Sequence, residues 1–178
     1  MKRGLRLSPA DWKWIQKSMP VVCVDILPVQ LSPAPKHELQ AVGLIYRETP
    51  RGRRWCLIGG RLLYGESLTK AIRRQASETL GRHVKVHIGP DQQPLYIAQY
   101  SPSGRAPFSL DPRQHAVGLT FAVEMEGRPA PRGEAIKFAW FGNARIPAAR
   151  GLGFGQNGVI EACVRLLRTS SAAALGAR

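Results

Sequence analysis

The residues with the clearest chemical potential lie between Gly59 and Gly81, in the run GGRLLYGESLTKAIRRQASETLG. Two adjacent glycines, Gly59 and Gly60, follow an apolar stretch. They let backbone approach a ligand closely and free a carbonyl to point inward. Arg61 follows at once as a cation beside that backbone. Glu66 and Ser67 then open a helix, where an acid and a capping hydroxyl are both stabilising. At about 100° per residue, Leu68, Ile72 and Ala76 form the packing stripe. Gln75, Glu78 and Thr79 share the adjoining face, with Arg74 one turn before Glu78 and able to pair with it. Three carboxylates on such a face would chelate a hard divalent cation through oxygen. Here the face carries one carboxylate, one amide and one hydroxyl, and weaker metal binding is expected.

The other candidate groups are sparse. Glu48, Glu124 and Glu126 lie near expected strand ends, and any could complete a metal site with Glu78. Glu66 reads as structural, holding Arg74 or the loop. His115 begins an expected strand and reads as a satisfied histidine. Asp25, inside an apolar strand, is a buried hydrogen-bonded acid or a pocket residue, and the structural reading is preferred. Trp55, Trp140, Phe141 and Phe154 read as core or pocket wall, one of them able to stack on a base. Cys23, Cys56 and Cys163 each lie in apolar surroundings without metal-type spacing, which argues for buried thiols and against a disulfide framework or a zinc site.

These residues must be positioned by the rest of a 178-residue chain, enough for one domain with a sizeable core. Ser8, Pro9 and Asp11 start a helix that Pro20 ends. Strands are expected over Pro20–Val29, Ala41–Tyr46, Trp55–Ile58, Val84–Ile88, Leu95–Tyr100, His115–Met125 and Lys137–Phe141. The turn Gly89-Pro90-Asp91 and the loops Pro33–Lys36, Ser101–Arg113 and Gly127–Gly133 separate them. The central helix spans Ser67–Leu80 and stops at Gly81. A final helix spans Asn157–Leu167 after the glycine-rich turn Gly151–Gly155. This order predicts a mixed sheet covered by helices, an α/β (α+β) domain. The expected division is a helical extension over 1–20, the domain over 21–168 and a frayed tail over 169–178.

Lys and Arg number 26 against 12 acids, a formal charge of +14. That excess attracts polyanions such as nucleotides or nucleic acid. No RRM, KH, zinc-finger or helix-turn-helix signature accompanies it, so sequence-specific nucleic-acid recognition is not expected. No apolar run spans a bilayer and no secretory leader is read, so a cytoplasmic protein without membrane association is the expectation.

The segment resembles the Nudix box, G-x5-E-x7-R-E-U-x-E-E-x-G-U. Gly60, Glu66, Arg74, Glu78 and Gly81 match. Gln75 and Thr79 stand at two of the acidic positions, and Arg82 at the final aliphatic. The run is also similar to the GDP-mannose mannosyl hydrolase branch, and the Trp-containing N-terminal helix, the Cys23-Val24-Asp25 strand and the basic segment Glu48–Cys56 together resemble an uncharacterised Nudix-like family. The resemblance implies an α/β/α Nudix-like sandwich and hydrolysis of a nucleoside diphosphate linked to another group, such as a nucleotide sugar. It implies Gly60, Arg61 and Arg74 as substrate contacts. Mg²⁺ or Mn²⁺ would be weakly held by the Gly59 carbonyl, Glu78 and Gln156, with Glu78 and Gln156 serving catalysis. A homodimer is compatible with it. The alternative is a Nudix-fold module that binds a nucleotide, nucleotide sugar or nucleic acid without turnover.

Overall fold

The computed structural model describes residues 7–34, 36–89, 91–105, 108–142 and 145–176, with side chains described as far as residue 169. Within the expected loops and turn, Pro35, Pro90, Ala106 and Pro107 lie outside the described residues, as do Ala177 and Arg178 of the tail. Helix α1 spans Pro9–Ser18 and is capped by Ser8, whose hydroxyl accepts from the Asp11 N–H while Asp11 reaches back to Ser8. Such a reciprocal cap satisfies two of the N–H groups a helix start leaves open.

Strands β1 (Val21–Leu31), β2 (Leu39–Arg47), β3 (Arg54–Cys56) and β4 (Ile58–Arg61) precede helix α2 (Leu68–Leu80). Strands β5 (Lys85–His87), β6 (Tyr96–Ser101), β7 (Ser109–Leu110), β8 (Ala116–Glu126) and β9 (Lys137–Gly142) follow, and helix α3 (Asn157–Gly176) comes last. The backbone of one mixed sheet runs β3-β2-β1-β8-β6-β7, with β4 also paired to β1, β5 to β8 and β9 to β2. Strand β1 is its centre: parallel to β8 on one side, antiparallel to β2 and β4 on the other.

Side chains alternate across a strand, and β1 uses both faces. Val24 and Ile26 join Ile58, Ala71, Ile72, Ala76, Leu80 and Phe121 beneath α2. Leu27 and Val29 join Leu57, Tyr100, Val159, Ile160 and Cys163 beneath α3. Full burial of Ile72 and Leu80 contributes roughly 1.5–3 kcal/mol each, which seats α2 on the sheet. The result is the mixed sheet covered by helices expected from the order of elements, and the α/β/α sandwich implied by the resemblance.

Three expected elements differ. The stretch Trp55–Ile58 is two strands, not one, because β3 pairs with β2 and β4 with β1, and the Leu57 N–H between them is taken by the Gln156 side chain. The loop Ser101–Arg113 contains β7, parallel to β6. Helix α3 continues past Leu167 to Gly176, through a run containing Ala172, Ala173 and Ala174, and alanine has the highest helix propensity.

Candidate functional site

Gly59 and Gly60 lie inside β4, and each serves one face of the sheet. A β-carbon on Gly60 would fall 2.6 Å from the amide nitrogen of Gln75, on the α2 face. A β-carbon on Gly59 would collide with a carboxylate oxygen of Asp25, on the α3 face. The pair thins the sheet at one point, so groups on its two faces approach the same strand.

On the α2 face the loop 61–66 is tied to the helix by one guanidinium. Arg74 donates through Nε to Glu66 (2.7 Å) and through Nη2 to Glu66 (2.9 Å) and to the Arg61 carbonyl (3.1 Å). Its Nη1 donates to Glu78 at 3.1 Å. Glu66 also accepts from the Leu63 N–H, so it holds both Arg74 and the loop. The hydrogen bonds from Arg74 keep the Glu66 carboxyl below its ordinary range. Glu78 is 62% exposed beyond that bond. Gln75 and Thr79 are buried. Arg61 turns its guanidinium onto the Trp12 ring of α1, 4.4 Å from the centroid, a cation–π contact.

On the α3 face a cavity of about 60 Å³ opens at Gly59 and Gly60. Asp25, Arg47, Tyr100, Arg113, Phe154 and Gln156 supply its chemistry. Asp25 lies between Val24 and Ile26 and points away from α2. Its oxygens also fill the space above Gly118 on β8. Burial pushes its carboxyl up to about 7, against the pull of Arg113 and Arg47. No hydrogen bond to Asp25 forms among the described residues, so the preference for a hydrogen-bonded structural acid gives way to a cavity-lining one. Arg47 pairs with Glu134 at 2.7 Å, and Arg113 with Asp111 at 2.8 Å. Both guanidiniums lie over Phe154, at 5.5 Å and 4.2 Å from its ring centroid. Among the described residues the side-chain amide of Gln156 donates no hydrogen bond, while its oxygen accepts from the Leu57 N–H at 2.9 Å.

Gly59, Gly60 and Gln156 thus line one cleft, whereas Arg61, Arg74 and Glu78 do not line it. Glu48 pairs with exposed Arg53, and Glu126 with His87. Glu124 lines a separate groove with His87 and Gln92. His115 stands edge-on to Phe108, 5.6 Å between ring centroids. Trp55 packs against Tyr46 and Phe141, and Trp140 against Phe138. Burial pushes all three thiols, Cys23, Cys56 and Cys163, up to about 12, so they remain protonated and inert.

The expected divalent ion finds a poor donor set. Among the described residues no three His, Cys, Asp or Glu side chains cluster closely enough to hold a metal. The oxygen of Gln156 is already taken by Leu57, and Glu78 is paired with Arg74. These residues do not fit a carboxylate-rich cation site. Arg47, Tyr100, Asp111 and Arg113 carry no sequence signal that separates them from the chain's other arginines, tyrosines and acids.

A family model described as "Domain of unknown function (DUF4916)" matches residues 3–165. No curated protein matches the chain in sequence. Among solved structures, the chain resembles a possible asymmetric diadenosine tetraphosphate hydrolase of Jonesia denitrificans. The two are 26% identical, with TM-score 0.77 over 85% of this chain and 96% of that one. A MutT NUDIX hydrolase of Burkholderia pseudomallei is 18% identical, with TM-score 0.61 over 82% and 97% of the two chains. A UDP-X diphosphatase is 16% identical, with TM-score 0.61 over 93% and 73%. No helix among the described residues is long and apolar enough to cross a membrane.

Proposed function

Since this chain belongs to the DUF4916 family and has the Nudix fold, we propose that it hydrolyses a nucleoside diphosphate linked to another group. A nucleotide sugar is one such substrate. The observation that carries this reading is the cleft at the Gly59–Gly60 strand end, with an ionisable buried acid on one face and the Glu66–Arg74–Glu78 lock on the other. The structural relatives named for hydrolysis of dinucleoside polyphosphates or UDP conjugates support the class of bond.

In this reading Gly59 and Gly60 let the ligand cross the strand end in contact with backbone. The phosphates lie toward Arg61, whose charge is available where the Trp12 ring leaves it. Arg74 positions the loop through Glu66. Glu78, the sole acid of α2, orients or deprotonates the attacking water, and Gln156 offers its amide N–H to the ligand. A divalent ion would meet few charged oxygens, so dependence on Mg²⁺ or Mn²⁺ is expected to be weak.

The test is phosphorus NMR of nucleotide sugars and dinucleoside polyphosphates with Mg²⁺, with Mn²⁺ and with chelator. Cleavage that Glu78→Gln abolishes without loss of binding supports the reading. No cleavage in any condition defeats it. A second reading, a binding module without turnover, is favoured by the pairing of Glu78 with Arg74 and by the neutral Gln75 and Thr79. Ligand binding that persists in chelator with no product would establish that one.

A further inference from the structure

Charge balance in the cavity determines which end of such a ligand it can hold, if the cleft is the ligand site. Asp25 on β1, Arg47 on β2, and Asp111 and Arg113 before β8 line the cavity, and Glu134 before β9 reaches it through its pair with Arg47. Arg47 and Arg113 are each already paired, with Glu134 and Asp111. Two cations against three carboxylates leave Asp25, when ionised, as the surplus charge. A phosphate beside it would add like charge in a poorly solvated place, which is unfavourable.

The cavity is also lined with unmet hydrogen-bonding capacity. Arg47 Nε and the Tyr100 hydroxyl are buried without a hydrogen-bond partner among the described residues. The Asp25 carboxyl, only 8% exposed, has no hydrogen bond among the described residues, and the Gln156 amide N–H group makes none. A buried polar group left unpaired costs about 1–3 kcal/mol, so several around one space mark a place for a complementary ligand. The volume of about 60 Å³ compares with about 30 Å³ per water and about 300–1,000 Å³ for a whole ligand pocket. It admits one edge of a ring and excludes a complete nucleotide.

We infer that Asp25 recognises an uncharged, hydrogen-bond-donating head of the ligand at the cavity floor, either the N–H edge of a nucleobase or the hydroxyl of a sugar. Arg47 Nε and the Gln156 amide donate to acceptor atoms next to that donor, and the Tyr100 hydroxyl can serve either way. The phosphates stay outside, across the Gly59–Gly60 strand end. Phosphate-facing cations therefore do not select the ligand; the selecting group is an acid.

Calorimetry on the full chain tests this with uncharged probes at millimolar concentration: guanosine, adenosine, uridine, cytidine, mannose and glucose, beside inorganic pyrophosphate. The nucleoside and hexose arms separate the two sources of the donor. At least one uncharged probe should bind, and Asp25→Asn should weaken it by roughly tenfold or more, the loss of one charged hydrogen bond. Tyr100→Phe should weaken it by roughly threefold to tenfold, and it decides the matter if Asp25→Asn does not fold. Pyrophosphate binding should be unaffected by either change. Absence of binding by every uncharged probe, affinity unchanged in both variants, or loss of pyrophosphate binding in Asp25→Asn would overturn the inference. Probe binding through Asp25 without any hydrolysis would defeat only the hydrolase reading. Hydrolysis with a KM indifferent to Asp25→Asn would defeat only this one.

Discussion

Asp25 on β1 stands directly across the ladder from Gly59 on β4, and its carboxylate fills the space a β-carbon on Gly59 would need. That relationship explains the first glycine of the pair independently of any ligand. Gly59→Ala would also press to 2.9 Å on the Val24 carbonyl, a backbone atom that cannot step aside. Overpacking of this kind costs about 1–3 kcal/mol. The atoms nearest a Gly60→Ala β-carbon are the far end of the flexible Gln75 side chain rather than backbone, so this change should cost less. Urea midpoints of the two variants check the order.

Asp25 should make the fold less stable as pH rises. Its carboxyl has an ordinary value of 3.8 and is held at about 7 in the folded protein. Between those values the folded state binds the proton more tightly than the unfolded state, so raising pH favours unfolding. The penalty begins near the lower value, grows through the interval and is complete above the upper one. Asp25→Asn removes the ionisation, so its stability advantage over the parent should be larger at pH 8 than at pH 5. Denaturation at the two pH values measures it, and an equal difference at both would refute it.

Glu66 and Glu78 share Arg74 but differ in environment. Glu66 is 11% exposed and takes two bonds from the guanidinium, whereas Glu78 is 62% exposed and takes one. Glu66→Gln should cost about 1–3 kcal/mol, the range for loss of charged hydrogen bonds at a half-buried site. Glu78→Gln should cost under about 0.5 kcal/mol, as for an exposed pair one helical turn apart. Thermal melting separates the two. A large loss from Glu78→Gln would show it to be structural.

Gln156 joins the break between β3 and β4 to the start of α3. Gln156→Leu strands the buried Leu57 N–H and should cost about 1–3 kcal/mol. Gln156→Glu keeps an acceptor at the same place and should lose less. Amide exchange at Leu57 should accelerate in the leucine variant and remain slow in the glutamate one.

The local grammar of this chain is readable where neighbours in sequence are neighbours in space. Ser8 with Asp11, Ser67 as the cap of α2, and the stripe containing Ile72 and Ala76 all depend on contacts within a turn or two. The Glu66–Arg74 pair spans eight residues of one loop and helix, and is likewise anticipated. The cavity is different. Arg47 comes from the end of β2, Arg113 from the loop before β8, and Tyr100 from β6, and no spacing joins them. The break at Leu57 depends on a glutamine 99 residues away. Asp25 stood out as an acid in an apolar strand, but the glycines that make room for its carboxylate, Gly59 on β4 and Gly118 on β8, come from strands far apart in sequence.

A phosphorus NMR time course with a nucleotide-sugar and dinucleoside-polyphosphate panel is the decisive measurement for hydrolysis across the Gly59–Gly60 strand end. The parent chain should cleave at least one member, with only modest response to Mg²⁺ or Mn²⁺, and Glu78→Gln should lose that cleavage at unchanged binding. An intact panel after prolonged incubation with either metal, or a Glu78→Gln chain that cleaves as fast as the parent, would contradict it.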